Sequence, residues 1–382
     1  MSARRLRIGV VASHPVQYHS PWFRALAQAC DLRVLYAHRQ TAAQQGQAGY
    51  GVAFDWDRDL LEGYEHAFMR NRAKRPGVQH FRGCDTPEIF AEVRRDRRDA
   101  WVTMGWYLQS FWQTVAACRL ARVPVMARGD SHLGNHPAPW RRAARRAVHP
   151  WVLRGFNGFL CPGQRHRAYL RHYGVPDRKI HAVPHPIDDG FFASTARASR
   201  GQREALRHDM GVGPHDRLVL SVGRLIDWKR PLDPLHAIAA EPELRARFVV
   251  AYAGDGPMRS EIERTAQALG VRMHLLGFQN QTQLPAVYAA ADALLVCSTA
   301  QESWGLVVNE AMACGTPAIV SDVIGCAPDM IEQGATGFTY PMGDVTALGQ
   351  ALLRLDATMV GQQSVVAALA AKTRQMGVPW AT

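Results

Sequence analysis

Short apolar runs alternate with longer stretches of mixed polarity along the whole chain. In the first half, the runs that predict strands are Leu6–Ser13, Leu32–Ala37, Ala100–Met104, Val123–Ala127, Gly158–Cys161 and Ile180–Val183. In the second half they are Leu218–Val222, Phe248–Ala253, Met273–Leu276, Ala293–Cys297 and Ala318–Ser321. Runs this short, apolar almost throughout, fit strands buried on both faces, and the amphipathic stretches between most of them fit covering helices. Strand–helix alternation builds a parallel sheet. It occurs twice, so the pattern predicts an α/β chain with two Rossmann-like domains facing across a cleft. The join falls in "PHPIDDGFF", Pro184 to Phe192, which is rich in turn formers and breakers. The expected domains are residues 1–187 and 188–360. Parallel sheets place ligand sites at the carboxyl ends of their strands, so the chemistry belongs in the loops that follow them.

Composition narrows the class. A chain of 382 residues holds two domains with real cores. No apolar run approaches the length of a membrane span. The start, "MSARRLRIGVVAS", sets basic residues before an apolar stretch as a secretion signal does, but Ile8 to Ala12 is too short for one and His14-Pro15 follows at once. A buried first strand is expected there instead. Cys30, Cys84, Cys118, Cys161, Cys297, Cys314 and Cys326 form no C-x-x-C pair, which argues against a disulfide framework or structural zinc and for a reducing, cytoplasmic setting. None of the 16 histidines falls in H-E-x-x-H spacing, so no metal is expected.

Charge divides the chain. Residues 1–187 carry 29 Lys+Arg against 13 Asp+Glu, and residues 188–382 carry 16 against 20. A basic half suggests an anionic partner. The sharpest feature is "APWRRAARRAVHPWVLRGF", Ala138 to Phe156. Arg141, Arg142, Arg145 and Arg146 share one helical face; Trp140, Ala143, Ala144, Ala147, Val148 and Trp151 share the other. That is the pattern of an interfacial helix on an anionic membrane, here the inner face of the cell membrane. The plainer reading is a helix docked on its own sheet with its arginines in water. Nucleic acid is not expected, because no interleaved aromatics or recognition-helix motif accompany the charge.

Four loops in the second half carry candidate chemistry. In "SVGRLIDWKRP" a strand ends, Gly223 allows a tight turn, and Arg224 and Lys229 offer two cations for a diphosphate. In "AYAGDGPMRSEIER" Gly254 and Gly256 permit close backbone approach, and Pro257 suits the first turn of a helix. As a dinucleotide fingerprint this is weak, since the third glycine is missing. In "LLGFQNQTQLPAVYAAADALLVCS" backbone groups at Gly277 and Phe278 stand where they can meet a base, and Leu284–Ala291 reads as a helix.

The fourth loop is "QESWGLVVNEAMACGTPAIVSD", Gln301 to Asp322. A helix is expected from about Gly305, with the backbone N–H groups of Gly305, Leu306 and Val307 forming an anion site. Glu302 precedes it and can accept from sugar hydroxyls. Glu310 lies roughly 7–8 Å further along the axis, within reach of a ribose. Glutamate suits both tasks because it accepts from two vicinal hydroxyls. A carboxylate on so apolar a helix calls for a specific partner.

Together these motifs resemble the retaining GT-B glycosyltransferases of family GT4, the glycosyl transferases group 1. The match runs over about Arg217 to Tyr340: Glu302 and Glu310 in Glu-x7-Glu spacing, the Gly315-Thr316-Pro317 break, Arg224 with Lys229, and Gly254-Asp255-Gly256-Pro257. The resemblance implies metal-independent sugar transfer from a nucleoside diphosphate donor, with uracil and guanine bases both open. It implies that Arg224 and Lys229 bind the diphosphate, Glu302 the transferred sugar, Glu310 the ribose, and the loop Ser303-Trp304-Gly305-Leu306-Val307 sugar and phosphate. Trp304 stands where the family usually has Phe. No cofactor is implied beyond the donor.

The first half resembles the family less. The loop "SHPVQYHSPWF" has no glycine, where many members carry a Gly-Gly pair; His14, Gln17, Tyr18 and His19 are its candidate acceptor contacts. The resemblance puts a histidine near the reacting carbon, and "VMARGDSHLGNH" offers His132, with Asp130 as the second choice. Residues 361–382 are expected to cross back to the first domain. A lipid-linked or saccharide acceptor, in polysaccharide or glycolipid assembly, is the resulting expectation. A nucleotide-sugar 2-epimerase of similar fold and, more remotely, a basic nucleic-acid-binding protein are the alternatives.

Overall fold

The computed structural model describes residues 4–47, 54–134, 138–358 and 363–377. In chain order its strands are β1 (Arg7–Ala12), β2 (Asp31–Tyr36), β3 (Glu65–Phe68), β4 (Ala100–Thr103), β5 (Val125–Arg128), β6 (Gly158–Cys161), β7 (Ile180–Ala182), β8 (Arg217–Val222), β9 (Phe248–Ala253), β10 (Met273–Gly277), β11 (Ala293–Val296), β12 (Ala318–Ser321) and β13 (Gly337–Tyr340). They form two sheets, ordered β3-β2-β1-β4-β5-β6-β7 and β10-β9-β8-β11-β12-β13. Every strand pair is parallel.

The apolar runs become the central strands for the expected reason. In β9 all six residues of "FVVAYA" are buried, because helices cover both faces. Each sheet reverses its strand order once, between β1 and β4 in the first and between β8 and β11 in the second. At such a reversal the loops on either side diverge and leave a crevice at the strands' carboxyl ends. Two strands escape the apolar pattern. β3 ("EHAF") is a partly exposed edge strand, and β13 ("GFTY") opens on a glycine at the other sheet's edge.

The chain divides into two compact units, each with its own hydrophobic core. Of the described residues, the first holds 4–41, 59–134 and 138–186; the second holds 187–358 and 363–377 together with 42–47 and 54–58. The sequence reading keeps all of 1–187 in one domain and gives no hint of this excursion. Phe54 packs on Phe278 with ring centroids 4.4 Å apart. Asn280 donates to the Asp55 carbonyl at 2.9 Å, the Thr282 N–H donates to Asp57, and Arg58 pairs with Asp188 at 2.8 Å. The helix Gln363–Met376 packs in the second unit, where Leu369 is fully buried.

Candidate functional site

The crevice of the second unit is built from the loops after β8, β9, β10 and β11. Gly223 leaves β8 at φ 129°, and Gly254 and Gly256 follow β9 at φ 153° and 157°. A Cβ on Gly254 would stand 1.9 Å from the Gly223 carbonyl oxygen, and one on Gly256 2.5 Å from that of Leu225. The two glycine motifs, separate in the sequence, are therefore one structure. The Leu225 N–H donates to the Asp255 carbonyl at 2.9 Å, Met258 donates back to Leu225 at 3.0 Å, and Gly254 donates to Gly277 at 2.8 Å. The helix begins at Arg259 with Met258 as its N-cap, so Pro257 lies ahead of it and not in its first turn as its position suggested.

Lys229 ends a short turn, Asp227–Lys229, and its Nζ pairs with Glu302 Oε2. Ser298 Oγ donates to the same carboxylate oxygen at 3.3 Å. Trp228, which the motifs did not single out, has both cations near its ring. Lys229 Nζ is 4.9 Å and the Arg224 guanidinium 5.6 Å from its ring centroid. The Trp228 carbonyl also accepts from the Thr299 N–H at 2.8 Å, tying the β8 loop to the β11 loop across the reversal point.

The loop after β11 is fixed by its neighbour. Gly325 donates to the Glu302 carbonyl at 3.1 Å and Cys326 to that of Trp304 at 3.0 Å. The Trp304 ring is buried in the core and donates through Nε1 to Asn309 Oδ1 at 3.0 Å. Its side chain anchors the loop, so any donor contact it makes falls to its backbone. Ser303 lies in the same loop, with its carbonyl against Gly325. Gly305 turns the chain at φ 93° into the helix Val307–Ala313. The N–H groups of Gly305, Leu306 and Val307 precede the first four-residue helical bond, Glu310 to Leu306. The helix closes on Gly315 at φ 87°, where Thr316 donates to Ala311 and Gly315 to Met312.

Glu310 therefore stands in the first turn of this helix, closer to its start than a helix opening at Gly305 would put it. It is 4% exposed, and Tyr288 donates to its Oε2 at 2.7 Å. Burial pushes its carboxyl up to about 7, against the opposing pull of the Tyr288 hydroxyl. A prediction follows by linkage. Between the ordinary carboxylate value of 4.5 and about 7 the folded chain holds a proton that the unfolded chain has lost. The Glu310 share of the stability should then fall as pH rises through that window, by about 3 kcal/mol, and level off above it. Denaturant titrations of wild type and Glu310→Gln across this range should show wild type losing stability relative to the variant by that amount, whatever pH dependence the two share.

In the first unit the sequence-named residues gather at the carboxyl end of the sheet. His14, Gln17, Tyr18 and His19 follow β1; Asp130 and His132 follow β5. Ser13 Oγ lies 2.9 Å from His14 Nδ1, and the Gly134 N–H donates to His132 Nδ1 at 3.1 Å. Burial, helped by the field of His38, lowers His14 to about 4; burial, Arg128 and His14 together lower His19 to about 3. Both rings are thus neutral at pH 7. Arg128, missed in the sequence because it ends a strand, is buried under the Trp22 ring and donates to the Val183 and Pro184 carbonyls. His166 bonds the Ser131 carbonyl at 2.8 Å beside these residues. Among the described residues no three His, Cys, Asp or Glu side chains are grouped to hold a metal.

Residues 202–356 match the family described as Glycosyl transferases group 1. A D-inositol 3-phosphate glycosyltransferase of Streptomyces bingchenggensis is 35% identical over 269 residues, 66% of this chain and 56% of that protein. One from Actinosynnema mirum is 38% identical over 178 residues, 43% of this chain and 40% of the other. The chain spans roughly a third to just over a half of the length of the curated relatives it matches. Among solved structures, Anabaena Alr3699/HepE in complex with UDP aligns with a TM-score of 0.74 at 19% identity, covering 98% of this chain and 96% of that one. The lipopolysaccharide outer core galactosyltransferase WaaB aligns with a TM-score of 0.66 at 14% identity, over 97% and 96%. Residues 202–356 thus match the glycosyl transferases group 1 family, and the chain has the two-sheet fold of solved glycosyltransferases.

Proposed function

We propose that this protein transfers a sugar, with retention at its anomeric carbon, from a nucleoside diphosphate donor to a hydroxyl acceptor. The observation that carries the reading is the Lys229–Glu302 pair at the reversal point of the second sheet, beside the head of the helix bearing Glu310. Lys229 and Arg224 receive the diphosphate. As Lys229 turns from the carboxylate to phosphate, Glu302 is released to accept from the sugar's hydroxyls. The N–H groups at Gly305–Val307 hold the anionic end. Glu310 accepts from the ribose, whose two hydroxyls favour its ionised form. Gly277 and Phe278 border the base.

The chemistry then needs little covalent help. The anomeric carbon–oxygen bond breaks as the acceptor oxygen attacks on the same face, and the acceptor proton passes to the leaving phosphate oxygen. The protein supplies position and charge stabilisation. His132 and Asp130 are the proposed groups near the reacting carbon, and His14, Gln17, Tyr18 and His19 the proposed acceptor contacts. UDP and UDP-glucose in the HepE crystals support a nucleotide-sugar donor. The names of the curated relatives make inositol phosphate one acceptor to try, beside saccharides and lipid-linked sugars in polysaccharide or glycolipid assembly. The seven cysteines, all free thiols, fit a cytoplasmic setting.

The test is a melting-temperature screen with UDP- and GDP-sugars, followed by nucleotide release with each acceptor class. One sugar nucleotide should raise the melting temperature, and release should require an acceptor. Epimer formation from the donor alone would favour the epimerase instead. No shift with any sugar nucleotide would remove the proposal.

A further inference from the structure

The helix Pro139–Leu153 does not behave as a helix docked on a sheet. Its residues from Pro139 to Val148 are all exposed, and only Leu153 is buried. It is held by its last turn. Leu153 enters the core of the first unit, and His149 Nδ1 lies 2.9 Å from the Tyr169 hydroxyl, its ring 4.9 Å from that of Tyr173. Three- and four-residue spacing places Arg142, Arg145 and Arg146 on the same side as His149 and Leu153. The same spacing gathers Trp140, Ala144, Ala147, Val148 and Trp151 on the opposite side. The attached side is therefore the basic one, and the apolar stripe points outward. Trp140 is 68% exposed, Trp151 70% and Val148 54%. A guanidinium flanks each tryptophan, Arg141 at 5.1 Å from Trp140 and Arg154 at 4.5 Å from Trp151.

We propose that this helix binds the surface of an anionic lipid bilayer, with Trp140 and Trp151 entering the boundary between headgroups and acyl chains. Indole belongs at that depth, with its apolar body in lipid and its N–H toward water. The flanking arginines meet lipid phosphates and keep their stems on the apolar side. Two other occupants fit less well. A second copy joined stripe to stripe would bring the flanking Arg141 and Arg154 of both helices together. A nucleic acid would be met by an outermost stripe of indoles and small apolar side chains, with most of the cations turned away from it. No described helix is long and apolar enough to cross a membrane, so the contact is peripheral. The inference stands apart from the glycosyl-transfer reading, since none of these residues belongs to the proposed donor or acceptor sets.

Flotation with phosphatidylcholine vesicles, with and without phosphatidylglycerol, tests it. The protein should float only with the anionic vesicles and lose them at high salt. Replacing Arg141 and Arg154, the two arginines that flank the tryptophans, together by glutamine should weaken partitioning roughly tenfold or more. Trp140→Ala with Trp151→Ala should weaken it about tenfold or more. Both variants should keep the wild-type circular dichroism and melting temperature, since the altered side chains are exposed. Equal flotation with neutral vesicles, no flotation at low salt, or either variant floating like wild type would overturn the proposal. So would a dimer that the tryptophan variant dissolves, or an RNA gel shift without flotation that the arginine variant abolishes.

Discussion

Alanine at Lys229 is expected to lower turnover by about 10²–10³-fold while the fold stays intact, the usual cost of removing one strong donor to a developing charge. Two losses combine in this variant. The donor diphosphate loses a cation, and Glu302 loses the partner that holds its carboxylate in place. Without Lys229, Glu302 keeps the Ser298 hydroxyl and stands as an uncompensated negative charge where the diphosphate must settle. Donor affinity should therefore drop as well as turnover. Adding Glu302→Gln should recover part of the binding and none of the turnover, because it relieves repulsion without restoring the cation. Steady-state kinetics at saturating donor, with a melting curve for each variant, separate these effects. Turnover at the wild-type level in Lys229→Ala would remove this residue from the site.

Alanine at Gly325 should be worse for the molecule as a whole. The added Cβ would lie 1.7 Å from the Ser303 carbonyl oxygen and 2.8 Å from the Trp304 Cα. Both are backbone atoms, so no side chain can swing aside. The same strand of backbone holds Glu302 through the Gly325 N–H, and relief of the clash must move that glutamate. A loss of about 3 kcal/mol is expected, together with loss of activity. Gly315→Ala provides the control. It sits at φ 87° with no atom within 4 Å of its Cβ, so it should cost only about 1–2 kcal/mol. Urea midpoints of the two variants decide the matter. If Gly325→Ala is no less stable than Gly315→Ala, close backbone packing is not what fixes this loop.

Much of this was legible in the sequence, for physical reasons. Strands covered on both faces must be apolar throughout, so the runs from Leu6 to Ser321 announced every central strand within a residue or two. β3 and β13 were silent because edge strands tolerate polar and small residues. The candidate donor residues Arg224, Lys229, Glu302 and Glu310 stood out because charge beside apolar runs is informative. The residues that hold them did not. Tyr288 and Gly325 reach the site from other elements, and their part depends on contacts that local spacing does not encode. The Trp304 side chain was expected at the sugar and is spent on the core, since an indole so close to a helix start can reach Asn309. Helix Pro139–Leu153 shows the limit most plainly: the pattern gave its two faces, but not which one the fold would grip.

The excursion that brings residues 54–58 into the second unit carries a consequence for how the molecule is made. Asp55 and Asp57 bond to residues 225 positions later in the chain. During synthesis this stretch leaves the ribosome long before its docking surface exists, and closing so distant a contact is slow. Phe54 must stay unpaired in the nascent chain until Phe278 has folded into place. For the same reason a gene fragment cut at the linker would yield a second unit with the ring of Phe278 laid bare, so the two halves of the message do not correspond to two separable pieces of protein.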